Sequence, residues 1–162
     1  MNSPREVTKR TGGGVPRGLP DRNGSVDYLI LIVDDFTDNR EMYAQYLAFR
    51  GFRVAEAADG HEALQKTIEL LPDLVVMDLS LPGMDGWEAT RRLKGDGRTK
   101  GIPVVALTGH ALDGHSQTAR EAGCDSFLIK PCQPQELEVE IRRILGLTAA
   151  PLEPRGRKER HA

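Results

Sequence analysis

Apolar residues along the chain fall into two alternating patterns. Three runs, Leu29–Val33, Leu74–Met77 and Val104–Leu107, are apolar at every position, as strands buried on both faces of a parallel sheet must be. Phe52–Ala57 alternates in part and reads as a weaker strand, and Ser126–Ile129 as a short one. Between these runs the apolar spacing takes the helical period. Helices are expected over about 38–50, with Met42, Tyr43, Tyr46 and Leu47; over 60–71, with Ala63, Leu64, Ile68 and Leu71; and over 86–94, with Trp87, Thr90 and Leu93. Two more are expected over about 114–122 and over 134–145, the last with Leu137, Ile141, Ile144 and Leu145 on one face. Gly51 and Gly146 stand where helices should end, and Pro82, Pro103 and Pro131 fall between elements. The order is (βα)5. Such alternation with short connections predicts an α/β fold with a doubly wound, five-stranded parallel sheet. Ligands of such sheets bind at the carboxyl ends of the strands, near the point where the strand order reverses.

The two ends of the chain lack this pattern. Residues 1–26 contain Gly12, Gly13, Gly14, Pro16, Gly18, Pro20 and Gly24 and almost no large apolar side chain, so they cannot repay the entropy of ordering. A flexible arm is expected there. Residues 147–162, which run through Ala149, Ala150 and Pro151 into a basic stretch from Arg155 to Arg160, are expected to form a flexible basic tail. The folded domain is placed at 27–146, and 162 residues with 39% apolar content suit one core.

Charge sharpens the reading. The net charge is −2, yet residues 1–26 carry five basic and two acidic groups and residues 147–162 carry four and two. The middle is therefore more acidic than the whole, which argues against direct nucleic-acid binding and leaves bunched acids able to hold a cation. No run approaches the roughly 18 apolar residues of a membrane span, and the N-terminus lacks the apolar centre of a secretion signal. A cytoplasmic protein without a membrane partner is expected. Cys124 and Cys132 lie in no CxxC or Cys/His set and read as free thiols.

The candidate chemistry stands at the strand ends. Asp34 and Asp35 follow the first apolar run, Asp78 the second and Lys130 the last strand, while Thr108 closes the third run. In a parallel sheet these positions share one edge. Three acids in one place repel unless a cation joins them, and a small set of oxygen ligands suits Mg²⁺, which keeps several waters and accepts phosphate oxygens. Lys130 can neutralise a transferred group and Thr108 can bond one of its oxygens. Asp78, the carboxylate of a central strand, is the natural nucleophile for a phosphoryl centre. Taken singly, each feature has a plainer explanation: an Asp pair as a helix cap, Thr108 as a turn hydroxyl, Lys130 as a surface charge. Asp85-Gly86 reads as a turn with Asp85 capping the next helix, and His110 and His115 as solvated loop residues.

Four segments carry a resemblance: Leu31 to Asp35, Asp73 to Gly86, Val104 to Gly109 and Phe127 to Pro131. In order and spacing, with 44, 30 and 22 positions separating Asp34, Asp78, Thr108 and Lys130, the chain resembles the receiver domains of bacterial response regulators over roughly 28–146. That resemblance implies a flavodoxin-like receiver fold and a phosphoryl group placed on Asp78 by a sensor histidine kinase or histidine phosphotransfer protein. It implies that Asp35 binds Mg²⁺ directly and Asp34 through water, with the Ser80 backbone carbonyl and Asp78 as further ligands. Thr108 and Lys130 would bind phosphoryl oxygens, Gly109 would leave room for the group, and Phe127 would be the switch aromatic. The Lys130–Pro131 bond is often cis in this family, and Ser80 and His110 occupy positions that tune phosphate lifetime. A stand-alone receiver is expected, with an unknown output protein and no enzymatic activity beyond self-phosphorylation and slow self-dephosphorylation. Two alternatives are a Mg²⁺-dependent phosphohydrolase of the haloacid-dehalogenase type, which wants Asp-x-Asp on its first strand, and a degenerate receiver that works without phosphorylation.

Overall fold

In the computed structural model, residues 27–109 and 120–147 are described. The elements are β1 (Leu29–Val33), α1 (Thr37–Phe49), β2 (Arg53–Ala57), α2 (Gly60–Leu70), β3 (Leu74–Asp78), α3 (Gly86–Gly95), β4 (Val104–Thr108), β5 (Ser126–Ile129) and α4 (Pro134–Leu145). The helix expected over 114–122 lies mostly outside the described residues, where only Arg120 to Ala122 are seen, in helical conformation. His110, His115, the arm over 1–26 and all but Leu147 of the tail also lie outside them.

The five strands form one parallel sheet in the order β2-β1-β3-β4-β5. The order reverses between β1 and β3, so the doubly wound α/β architecture is the one the apolar pattern predicts. Strands β1, β3 and β4 are buried at every position, because helices cover both of their faces. The edge strands β2 and β5 are partly exposed.

Alternation along each strand divides its side chains between two cores. Leu31, Val33, Val75, Met77, Val104 and Ala106 pack against Ala63 of α2 and Ala89 and Leu93 of α3. Ile30, Ile32, Leu74, Val76, Val105 and Leu107 pack against Tyr43 and Leu47 of α1 and Leu137, Ile141 and Leu145 of α4. Each fully buried Leu or Ile contributes about 2 kcal/mol over its exposed state.

Helix ends follow local chemistry. Asp59 and Asp85 cap α2 and α3, accepting from the amides of Glu62 and Glu88. Gln133 and Glu136 form a capping box at the start of α4, and Gly146, at φ 74°, closes it. One end differs from expectation. α2 stops at Leu70, and Leu71, expected to continue it, is its left-handed cap at φ 47°. The cause is Pro72, whose ring disfavours the helical conformation of the residue before it. Leu71 still packs on the first core, which offsets the left-handed strain of about 1 kcal/mol. Phe52, expected to open β2, precedes it and is buried, with the Arg142 guanidinium 5.0 Å above its ring.

Candidate functional site

The reversal in strand order brings two acids side by side. Asp34 follows β1 and Asp78 ends β3, and the register pairs Val33 with Met77 directly before them. Asp34 is 1% exposed and Asp78 2%; Asp35 is exposed. One carboxylate oxygen from each of Asp34, Asp35 and Asp78 lies within 4.8 Å of the others. The Ser80 amide donates to Asp78 Oδ1 at 2.9 Å, and Lys130 Nζ donates to Asp78 Oδ2 at 3.1 Å. Lys130 is seated by its own amide, which donates to the Thr108 carbonyl at 2.7 Å, and is followed by a cis Lys130–Pro131 bond. Asp34, Asp35, Asp78, Ser80 and Lys130 are thus brought together.

Thr108 ends the neighbouring strand, buried, one position beyond the Leu107 that pairs with Asp78. Phe127 pairs with Ala106, so by alternation it shares a face with Thr108 but lies a layer deeper. It packs on the first core with the Arg120 guanidinium 5.6 Å from its ring centroid. A Cβ added to Gly109 would meet nothing within 4 Å among the described residues.

The balance of charge is unfavourable as it stands. Among the described residues three carboxylates face one ammonium, and burial of an unpaired carboxylate oxygen costs several kcal/mol. Asp34 Oδ1 accepts from the Phe36 amide at 2.9 Å, while Oδ2 is buried with no hydrogen-bond partner among the described residues. Burial pushes the Asp34 carboxyl up to about 6; the Phe36 amide and Lys130 oppose that rise and the charge of Asp78 adds to it. The helix-cap explanation fails here, since the N-cap of α1 is Phe36 and no side chain caps that end. An orphaned oxygen beside two further carboxylates fits a small, hard divalent cation.

The response regulator receiver domain model matches residues 30–142. The chain belongs to that family. Among its relatives, this receiver is 36% identical over 132 residues to the phosphate regulon transcriptional regulatory protein PhoB of Pseudomonas aeruginosa, a match covering 78% of this chain and 58% of PhoB. It is 32% identical over 117 residues to the polar-differentiation response regulator DivK of Brucella anthropi, covering 72% of this chain and 95% of DivK. The chain spans about half the length of several curated relatives it matches. A similar solved structure is the receiver domain of a sensor histidine kinase from Pseudomonas aeruginosa, described with a magnesium ion coordinated in its active-site cleft. Its TM-score is 0.70 at 32% identity, covering 75% of this chain and 99% of that one. Membership in this family, together with adjacent Asp34-Asp35 in place of Asp-x-Asp, sets the receiver apart from phosphohydrolases of the haloacid-dehalogenase type.

Some of the framework of the receiver's site goes beyond what the motifs show. Asp85 is the helix cap it was read as, but Gly86 does more than close a turn. A Cβ on it would lie 2.4 Å from the Asp78 carbonyl oxygen and 2.7 Å from Leu79 Cα, so only glycine lets α3 seat against the end of β3. Arg40 and Tyr43 of α1 also touch the segments that carry the acids and the lysine. Tyr43 shows in the sequence only as a core position of the helical period, and Arg40 belongs to no pattern at all.

Proposed function

We propose that this receiver accepts a phosphoryl group on Asp78 from a phosphohistidine of a sensor histidine kinase or phosphotransfer protein, with Mg²⁺ bound, and so changes its affinity for an output protein. The observation that carries this reading is the pairing of Asp78 with Lys130 at 3.1 Å beside two further acids. A carboxylate oxygen of Asp78 attacks phosphorus, the phosphorus–nitrogen bond breaks, and the imidazole leaves with its electron pair and takes up a proton. The product is an acyl phosphate. Lys130 exchanges its bond to the carboxylate for one to a phosphoryl oxygen, and Thr108 donates to another. Asp34, Asp35 and Asp78, with the Ser80 carbonyl, would hold Mg²⁺, which when bound lowers the repulsion between the acids and the incoming phosphate. Thr108 and Phe127 share a face, which supports their coupling as a switch: movement of Thr108 toward the phosphoryl group opens space into which Phe127 turns.

Incubation with acetyl phosphate and Mg²⁺ tests the reading. One phosphate per chain is expected by intact mass, absent in Asp78→Asn and after chelation of the metal. Undiminished labelling of Asp78→Asn removes Asp78 from its role. Unlabelled wild-type protein that still binds its partners would instead indicate a degenerate receiver.

A further inference from the structure

The two halves of the cleft belong to distant parts of the chain. Asp34 and Asp35 follow β1, Lys130 follows β5, and β3 and β4 separate those strands in the sheet. Helix α1 touches both halves. Arg40 Nη1 donates to the Asp34 backbone carbonyl at 2.9 Å, and its Nε donates to Glu56 Oε1 of β2 at 2.9 Å. The guanidinium therefore ties the acidic turn to the neighbouring strand, through a planar fork that holds both acceptors at once. One turn further along α1, the hydroxyl of Tyr43 donates to the Cys132 carbonyl at 2.7 Å, two residues beyond Lys130. Burial, reinforced by Cys132, Asp34 and Asp78, pushes the Tyr43 phenol up to about 12, so it remains a donor at neutral pH.

We propose that Arg40 and Tyr43 are the positioning residues of the site: Arg40 holds the cation-binding turn in place, and Tyr43 holds the loop from which Lys130 reaches Asp78. This rests on the phospho-accepting reading above. Neither residue touches a reacting group, and they act on different halves, so their losses separate. Residues that orient metal ligands typically contribute about ten- to a hundredfold in affinity. Arg40→Ala should weaken Mg²⁺ binding about tenfold, because the Asp34–Asp35 turn loses its anchor. Tyr43→Phe should leave Mg²⁺ affinity within about twofold and slow labelling by acetyl phosphate about fivefold at saturating Mg²⁺, because only the lysine half is loosened.

The experiment is calorimetric titration of Mg²⁺, with labelling rates from acetyl phosphate, on the full chain below its unfolding temperature. Glu56→Gln, which keeps an oxygen for Arg40 Nε, should bind Mg²⁺ as wild type does. A merely structural role would lower the unfolding temperature of both variants and leave the Mg²⁺ affinity and labelling rate of the folded protein unchanged. That result overturns the proposal. Should Arg40→Ala fail to fold, Glu56→Ala replaces it, with a loss of about threefold in Mg²⁺ affinity expected and an unchanged affinity counting against the assignment. Wild-type protein that neither binds Mg²⁺ nor takes label overturns the underlying reading, and the inference with it.

Discussion

Asp34 and Glu138 are both carboxylates taken out of water, 1% and 5% exposed, and their surroundings could hardly differ more. Glu138 of α4 is ringed by donors. Arg50 Nε reaches both of its oxygens at 3.0 Å, the Tyr46 hydroxyl reaches Oε1 at 2.8 Å and Arg142 Nε reaches Oε2 at 2.8 Å. Burial alone would raise the pKa of Glu138, but hydrogen bonds from Arg142, Tyr46 and Arg50 outweigh it and hold the group below its usual range. Among the described residues Asp34 has one amide on one oxygen and nothing on the other, beside a second buried acid, and is pushed up to about 6. One carboxylate is a finished strut between α1 and α4. The other keeps bonding capacity that none of the described residues fills, as expected of a buried acid kept for a ligand and not for the fold.

The largest expected effect lies on the satisfied side. Glu138→Ala removes the buried carboxylate to which Arg50, Tyr46 and Arg142 all donate and should cost about 3–5 kcal/mol of stability, read as a lower urea midpoint. A loss under about 1 kcal/mol would mean that the Glu138 carboxylate is not an essential strut, and the contrast with Asp34 would lose its structural half.

Next comes the pH dependence of the unsatisfied side. The folded-state pKa of Asp34 lies above its ordinary 3.8, so the folded chain holds this proton more tightly than the unfolded chain does. That contribution is fully present below about pH 4 and is lost as pH rises through about 6. Urea unfolding of metal-free protein should show a fall on the order of 2–3 kcal/mol across that window. Mg²⁺ should offset it, and Asp34→Asn, which keeps an oxygen for the Phe36 amide, should remove the slope. An unchanged slope in Asp34→Asn would assign the titration to another group.

The smallest effect sharpens the comparison within the strut. Tyr46→Phe removes one of several donors to Glu138 and should cost about 1 kcal/mol, with Arg50 and Arg142 keeping the carboxylate ionised. A cost as large as that of Glu138→Ala would show the phenol, and not the guanidinium pair, to be the essential partner.

Much of this was legible beforehand, for reasons visible in particular residues. β1, β3 and β4 read clearly because strands covered on both faces must be apolar throughout, and α4 read clearly because its apolar face recurs at the helical period between Pro134 and Gly146. The place of the acids, Thr108 and Lys130 on one edge was legible because a parallel sheet gathers strand ends there. The end of α2 was misjudged at Leu71 because periodicity continues through a residue whose conformation its neighbour Pro72 decides. Arg40 and Glu138 were passed over, and Gly86 was read only as part of a turn, since each matters through a contact with a segment distant in the chain or packed from another element.

The sequence alone determined the element order, the parallel sheet and the identity of the chemical groups on its edge, because these depend on periodicity and side-chain type, which are local properties. Only the tertiary structure decided which buried carboxylate is satisfied and which is not. That outcome depends on donors brought from elsewhere, as Arg50 and Tyr46 of the α1 region are brought to Glu138 and Lys130 to Asp78. Hydrogen bonds act over about 3 Å, and a distance on that scale exists only once the chain has folded.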